Sequence, residues 1–191
     1  MDWQNNRLYI AAAALLVLGG LAFYLVRHNT GDTVTTTTER PTLPHIERDD
    51  VTALDITRPG TDGAAPEHVR LERHDDHWFV TQPIEAPADP SAIDTALEKL
   101  GDLEVAGLAA SHAEHHAELE VDDGHGVHVV VHGANDETLA DLIVGAFRSG
   151  NTMVRAGGQD TVVTVRGSIR FAFSKDLKDW RDRGMLDVEA D

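Results

Sequence analysis

The sequence predicts an α+β domain, a mainly antiparallel sheet with a few helices, set behind one N-terminal transmembrane helix. Three observations carry that expectation. Residues 8–26, LYIAAAALLVLGGLAFYLV, form an uncharged run of 19, which at 1.5 Å per residue nearly crosses a hydrocarbon core of about 30 Å. Beyond residue 45, short segments alternate apolar and polar side chains and are separated by Gly, Asn and Asp turns, the pattern of strands joined by hairpins. A single longer stretch, 90–103, places its apolar residues at helical spacing.

The span is bracketed by Arg7 and Arg27, with Trp3, Tyr9, Phe23 and Tyr24 near its ends, where amphipathic rings prefer the membrane interface. A cleaved signal peptide would have a shorter apolar core followed by a small-x-small site; here RHNTGDT follows, so an uncleaved anchor is expected. The flanking charges are nearly balanced and do not orient the helix by themselves. Residues 27–44, RHNTGDTVTTTTERPTLP, read as an extended Thr/Pro-rich tether. The organisation expected is therefore a short N-terminal tail (1–7), the span (8–26), the tether (27–44), one domain (45–186) and an acidic tail (187–191).

Within the domain, Val51–Thr57 sets Leu54 and Ile56 on one face of a strand. His68–His74 and His77–Gln82 then form a hairpin around Asp75-Asp76. Asp89-Pro90 is a helix start, an N-cap carboxylate with proline at the first helical position. Ile93, Ala96, Leu97, Leu100 and Leu103 make 90–103 amphipathic. Val105–Ala109 reads as a short strand, and Ser111 to Leu119 as a short helix capped by its serine. Gly126–His132, Glu137–Ala146, Thr152–Ala156 and Asp160–Arg166 are four further strands, and the stretch from Ser168 to Arg183 ends in one or two short helices. Two successive β-rich halves, each with helical material, suggest a weak internal duplication.

Composition excludes several functions. The chain has 191 residues, a formal charge of −17 and no cysteine, so a disulfide framework, a thiol nucleophile and a lipid-modified cysteine anchor are all ruled out. An acidic surface repels phosphate, so no nucleic-acid partner is expected. No G-x-S-x-G elbow or P-loop is present, and Ala156–Gln159 (AGGQ) reads as a hairpin turn, so the chain is expected not to be an enzyme. From Asp75 to Asp141 there are sixteen carboxylates and one basic residue, whereas 148–183 holds eight basic and four acidic residues. Unless folding mixes these tracts, the domain has an acidic and a mildly basic side.

Six of the eleven histidines fall between His112 and His132. With 111–119 helical, His112 and His116 share a face at i and i+4; on the next strand His128 and His132 point to one side. Imidazoles so paired suit Zn²⁺ or Ni²⁺, and these four make the alternative reading, a periplasmic metal-binding module. The H-E-x-x-H arrangement of a metalloprotease is absent.

Three stretches in order carry a family resemblance: DDVTALDI at 49–56; WFVTQP at 78–83 followed by Asp89 and the leucine-rich helix; and WRDRGML at 180–186. Together they resemble the bacterial domain of unknown function DUF4340. The resemblance implies a membrane-anchored protein with its N-terminus in the cytoplasm and its domain in the periplasm. It also implies partners among the membrane subunits of a gliding-motility-type ABC transport system, with no catalytic residues or cofactor. For the signature residues Trp78, Pro83, Asp89, Trp180, Arg181 and Arg183 the physical reading is structural: Trp78 fills an aromatic-poor core, and Trp180 with its arginines clamps the C-terminal helix by packing and ion pairing.

Overall fold

The computed structural model describes residues 42–60, 64–182 and 184. The expected span, most of the tether, Arg183 and the acidic tail lie outside them. Among the described residues no helix is long and apolar enough to cross a membrane. The architecture is a sheet-rich α+β domain. Nine strands form one antiparallel sheet: β1 (Ala53–Arg58), β2 (Glu67–His74), β3 (His77–Gln82), β4 (Ala86–Pro87), β5 (Val105–Ala110), β6 (Val127–His132), β7 (Thr138–Arg148), β8 (Asn151–Ala156) and β9 (Val162–Arg166). Their order across the sheet is β4-β3-β2-β1-β6-β7-β8-β9-β5. Two meanders thus run outward from a central β1/β6 pair in which Asp55 stands opposite Val130.

Period-two alternation decides what each face of the sheet holds. Leu54 and Ile56 on β1, Val69 and Leu71 on β2, Val127, Val129 and Val131 on β6, and Val163 and Val165 on β9 all enter one core. Over it lies helix α1 (Pro90–Gly101), contributing Ala92, Ile93, Ala96, Leu97 and Leu100. Its start follows the expected chemistry: the Asp89 carboxylate accepts the Ala92 N–H at 3.1 Å, satisfying one of the free donors of the first turn. The same core takes Ala172 and Phe173 from α2 (Arg170–Phe173) and Trp180 from α3 (Leu177–Trp180).

The turns show equally local causes. Ser149 and Gly150 have φ of 52° and 83° between β7 and β8, the left-handed pair that a two-residue hairpin requires. The Ala156–Gln159 stretch joins β8 to β9, as expected of a turn.

One expected element is absent. The stretch 111–119 is no α-helix: Ala113–His115 makes a single 3₁₀ turn, followed by further turns to Glu120. It has a capping serine and good helix formers, but SHAEHHAEL offers no apolar stripe to bury, and a helix that short needs one. Instead Leu119 and Val121 press onto the second face of the sheet against Ile143, Met153 and Val162. The contact is close at Gly145, where a Cβ would fall 2.4 Å from the Leu119 carbonyl oxygen.

The acidic and basic tracts of the sequence meet at this segment. Arg148 donates to the Glu118 carbonyl at 2.7 Å, Arg155 to the Val121 carbonyl at 2.9 Å, and Arg170 pairs with the Glu120 carboxylate. Three basic residues of the C-terminal tract thus hold down the acidic segment.

Candidate functional site

The outer face of β2-β1-β6 collects the polar partners of the alternating strands. Asp55, 17% exposed at its side chain, lies at the centre. One of its oxygens meets His68 Nε2 at 2.9 Å; the other accepts from Arg70 Nη1 at 2.5 Å and lies 3.0 Å from His132 Nε2. Arg70 reaches further, to Glu72 at 2.6 Å and Asp136 at 3.0 Å. These bonds raise the Arg70 guanidinium above its ordinary value, chiefly through Glu72 and against the opposing effect of burial. They hold the Glu72 and Asp136 carboxyls below theirs, in both cases chiefly through the Arg70 hydrogen bond. His132 Nδ1 lies 3.4 Å from Asp136 but outside hydrogen-bonding geometry. The angle decides: the contact is an electrostatic one.

Of the four histidines expected to form a metal site, the fold brings no set together. His112 is exposed, without the helix that would align it with His116. His116 contacts the Asp160 carbonyl at 2.8 Å. His128 and His132 do share the outer face of β6, but His128 engages Asp141 at 2.6 Å while His132 engages Asp55. Among the described residues no group of three or more His, Asp or Glu converges to hold a metal ion. With His116, His128 and His132 each engaged by a different oxygen, Zn²⁺ at tens of micromolar is expected to give no saturable heat; a stoichiometric isotherm lost in His128→Ala would contradict that.

The second place where the chain gathers chemistry is a cleft of about 560 Å³ on the core face. Its apolar floor is Trp78 of β3 with Ile93 and Leu97 of α1, while the neighbouring Phe79 ring turns to the outer face of the sheet, edge-on to His74. Around the rim stand Arg48, paired with Asp94, and Arg73, which donates to the Asp49 carbonyl at 2.9 Å. Asp49, Asp76 and Asp182 complete it. Trp78 is half-buried, packing on the core while remaining on the wall of the cleft.

At the C-terminal stretch packing and main-chain pairing hold the chain in place, without the expected ion pair from Arg181 among the described residues. Trp180 is fully buried. Its carbonyl accepts the Asp89 N–H at 2.9 Å, Arg181 bridges Ala88 in antiparallel fashion, and Asp182 N–H donates to the Pro87 carbonyl at 2.9 Å. The Arg181 side chain is exposed. With Pro83, which follows the last residue of β3, it lines a more open cleft of about 730 Å³ beside α3. There Arg58 pairs with Glu67 and, at 3.0 Å, with Asp176. The Asp176 carboxyl is held below its ordinary value, first by a hydrogen bond from Lys178 and then by Arg58.

Asp55, His68, Arg70, Glu72 and Asp136 escape a reading by local motif. The alternation of His68, Arg70, Glu72 and His74 on one face of β2 was the available signal, but which strand lies beside it depends on a long-range pairing.

The family model described as a domain of unknown function, DUF4340, matches residues 78–191. The chain belongs to the DUF4340 family. The match opens at Trp78, on the wall of the core-face cleft, and takes in Pro83, Asp89 and the Trp180 stretch. Strands β1 and β2 precede the DUF4340 match yet complete its sheet, since β1 is the strand that pairs with β6. No curated protein and no solved structure matches the chain.

Proposed function

We propose that this DUF4340 chain is a non-enzymatic, single-pass inner-membrane protein. Its N-terminus lies in the cytoplasm, its sheet domain in the periplasm, and it serves as an accessory or assembly subunit of a gliding-motility-type ABC transport system. The observation that carries the reading is the cleft between β3 and α1, floored by Trp78 and the aliphatic side chains of α1. Its apolar floor suits a partner's side chains, and the domain's histidine–carboxylate pairs lie on the outer sheet face instead. The uncharged run 8–26 and the Thr/Pro tether support a membrane anchor. The choice of partner rests on what the resemblance to DUF4340 proteins implies.

The test joins topology to partnership. An alkaline phosphatase fused to the C-terminus is expected to be active, and crosslinking in the same strain is expected to recover membrane subunits of an ABC-type ATPase. An inactive reporter, or an eluate without such subunits, would overturn the reading.

A further inference from the structure

The cleft between β3 and α1 joins stretches that are far apart in sequence. Arg48 and Asp49 come from the 3₁₀ turn Arg48–Asp50, Asp76 from the β2–β3 turn, Trp78 from β3, Ile93 from α1, and Asp182 from the C-terminal stretch. A cleft floored by a half-buried tryptophan and two aliphatic side chains has the composition of an interface anchor site.

The rim decides what the site receives. Arg48 is paired with the Asp94 carboxylate, whereas Arg73, opposite Trp78, is held by the neutral Asp49 carbonyl and keeps its charge on the rim. The carboxylates of Asp49 and Asp76 are exposed and have no ion-pair partner among the described residues. Asp182 adds a third negative charge, one of its oxygens accepting only the Gly184 N–H. Three carboxylates against the one uncompensated guanidinium of Arg73 leave the rim net negative around a floor of Trp78, Ile93 and Leu97. A lysine or arginine lying over Trp78 would gain from both the ring face and the rim.

That pattern disfavours two occupants. The chain's own residues after 184 carry Asp187, Glu189 and Asp191, and a second copy brings a formal charge of −17; both repeat the sign of the rim. We infer that the β3/α1 cleft docks a basic, aliphatic peptide segment of a partner protein, with Trp78 as its anchor and Asp49, Asp76 and Asp182 as its charge complement. This rests on the accessory-subunit reading and names the surface that reading would use.

The test uses the full-length chain in phosphatidylcholine nanodiscs and two capped peptides, Gly-Lys-Leu-Ile-Lys-Arg-Gly and its charge-reversed counterpart Gly-Glu-Leu-Ile-Glu-Glu-Gly, followed by calorimetry. The basic peptide is expected to bind saturably at one site, and the reversed peptide at least about tenfold more weakly. Trp78→Ala is expected to weaken binding about tenfold or more. Because that variant also touches the core, the exposed pair Asp49→Asn with Asp76→Asn supplies an independent loss. Glu114→Gln with Glu118→Gln, which removes two charges from the opposite sheet face, is expected to leave binding unchanged.

Equal binding of both peptides, no saturable binding, or cleft variants that bind as the parent does would overturn the proposal. The two readings fail separately. Transporter subunits that copurify equally with Asp49→Asn/Asp76→Asn would sink the cleft assignment alone. Cleft-dependent peptide binding without copurifying subunits would sink the accessory role alone.

Discussion

Replacing Trp180 by alanine is expected to destabilise the domain by about 3–5 kcal/mol, the range for truncating a fully buried large aromatic. The side chain has no exposed surface and packs in the main core alongside Phe173, Ile93 and Leu100. A loss of that size consumes much of the roughly 5–15 kcal/mol available to a domain, so part of the population would unfold at physiological temperature. Denaturant titration at constant slope would measure it; a midpoint within error of the parent would refute it. The indole Nε1 is buried with no hydrogen-bond partner among the described residues, which itself costs stability. Trp180→Phe keeps most of the apolar contact and removes that donor, so its cost should be well below that of alanine. Hydrogen exchange should localise the damage in either variant. The amides of Asp89 and Asp182 lose protection first, because their acceptors are the Trp180 and Pro87 carbonyls that the C-terminal stretch holds in place.

Arg70→Met is expected to cost about 2 kcal/mol near neutral pH. It strips the cation from three carboxylates, Asp55, Glu72 and Asp136, while keeping the aliphatic stem. Removing the cation costs more than the pairs contribute, because the part-buried Asp55 and Glu72 carboxylates are left facing each other without it. Partial solvent access here keeps the figure below that for a fully enclosed pair.

The same change alters the response to acid. Glu72 and Asp136 have folded-state values below their ordinary 4.5 and 3.8. Their contribution is therefore fully present above those values and is lost as the pH falls through the lower folded ones. The parent chain should weaken steeply below about pH 4.5, and Arg70→Met should show a shallower slope over that window. Parallel slopes in the two proteins would remove Arg70 as the cause.

Most strands could be read from the sequence because their causes are local. His77–Gln82 stands where its alternation put it, and Val127–His132 lacks only the leading glycine of the expected segment. The α1 helix begins at Pro90 as its cap dictates and ends at Gly101, two residues early, since Leu103 packs on the core from beyond the helix. Strand β4, two residues long, has too little chain to show any periodicity; it exists because Phe79 and Val80 offer it an edge. The 111–119 segment misled for the opposite reason: its propensities are helical, but its neighbours bury Leu119 and Val121 against β7 and β8.

The same division explains the sites. Trp78, Asp89 and Trp180 stand out in a chain with ten aromatic residues and few helix caps, so their structural roles could be read directly. His128 and His132 were rightly placed on one face of a strand. What lay opposite them, Asp141 and Asp55, depends on which strands β6 chooses as neighbours, and no single segment encodes that. The carboxylates that claim these imidazoles come from β7 on one side and β1 on the other.

The pairing of β1 with β6 also governs how the molecule reaches this state. Each meander can zip from its own hairpin turns, but the line joining them closes only after everything from β2 to the start of β6 has been gathered into a loop, and a second long loop separates β5 from β9. Closing such loops spends chain entropy before the contacts that repay it exist, which places a topology of this kind among the slow folders. Until β6 arrives, Leu54 and Ile56 have one flank uncovered, so the interval between synthesis and closure is when this chain most exposes a sticky edge.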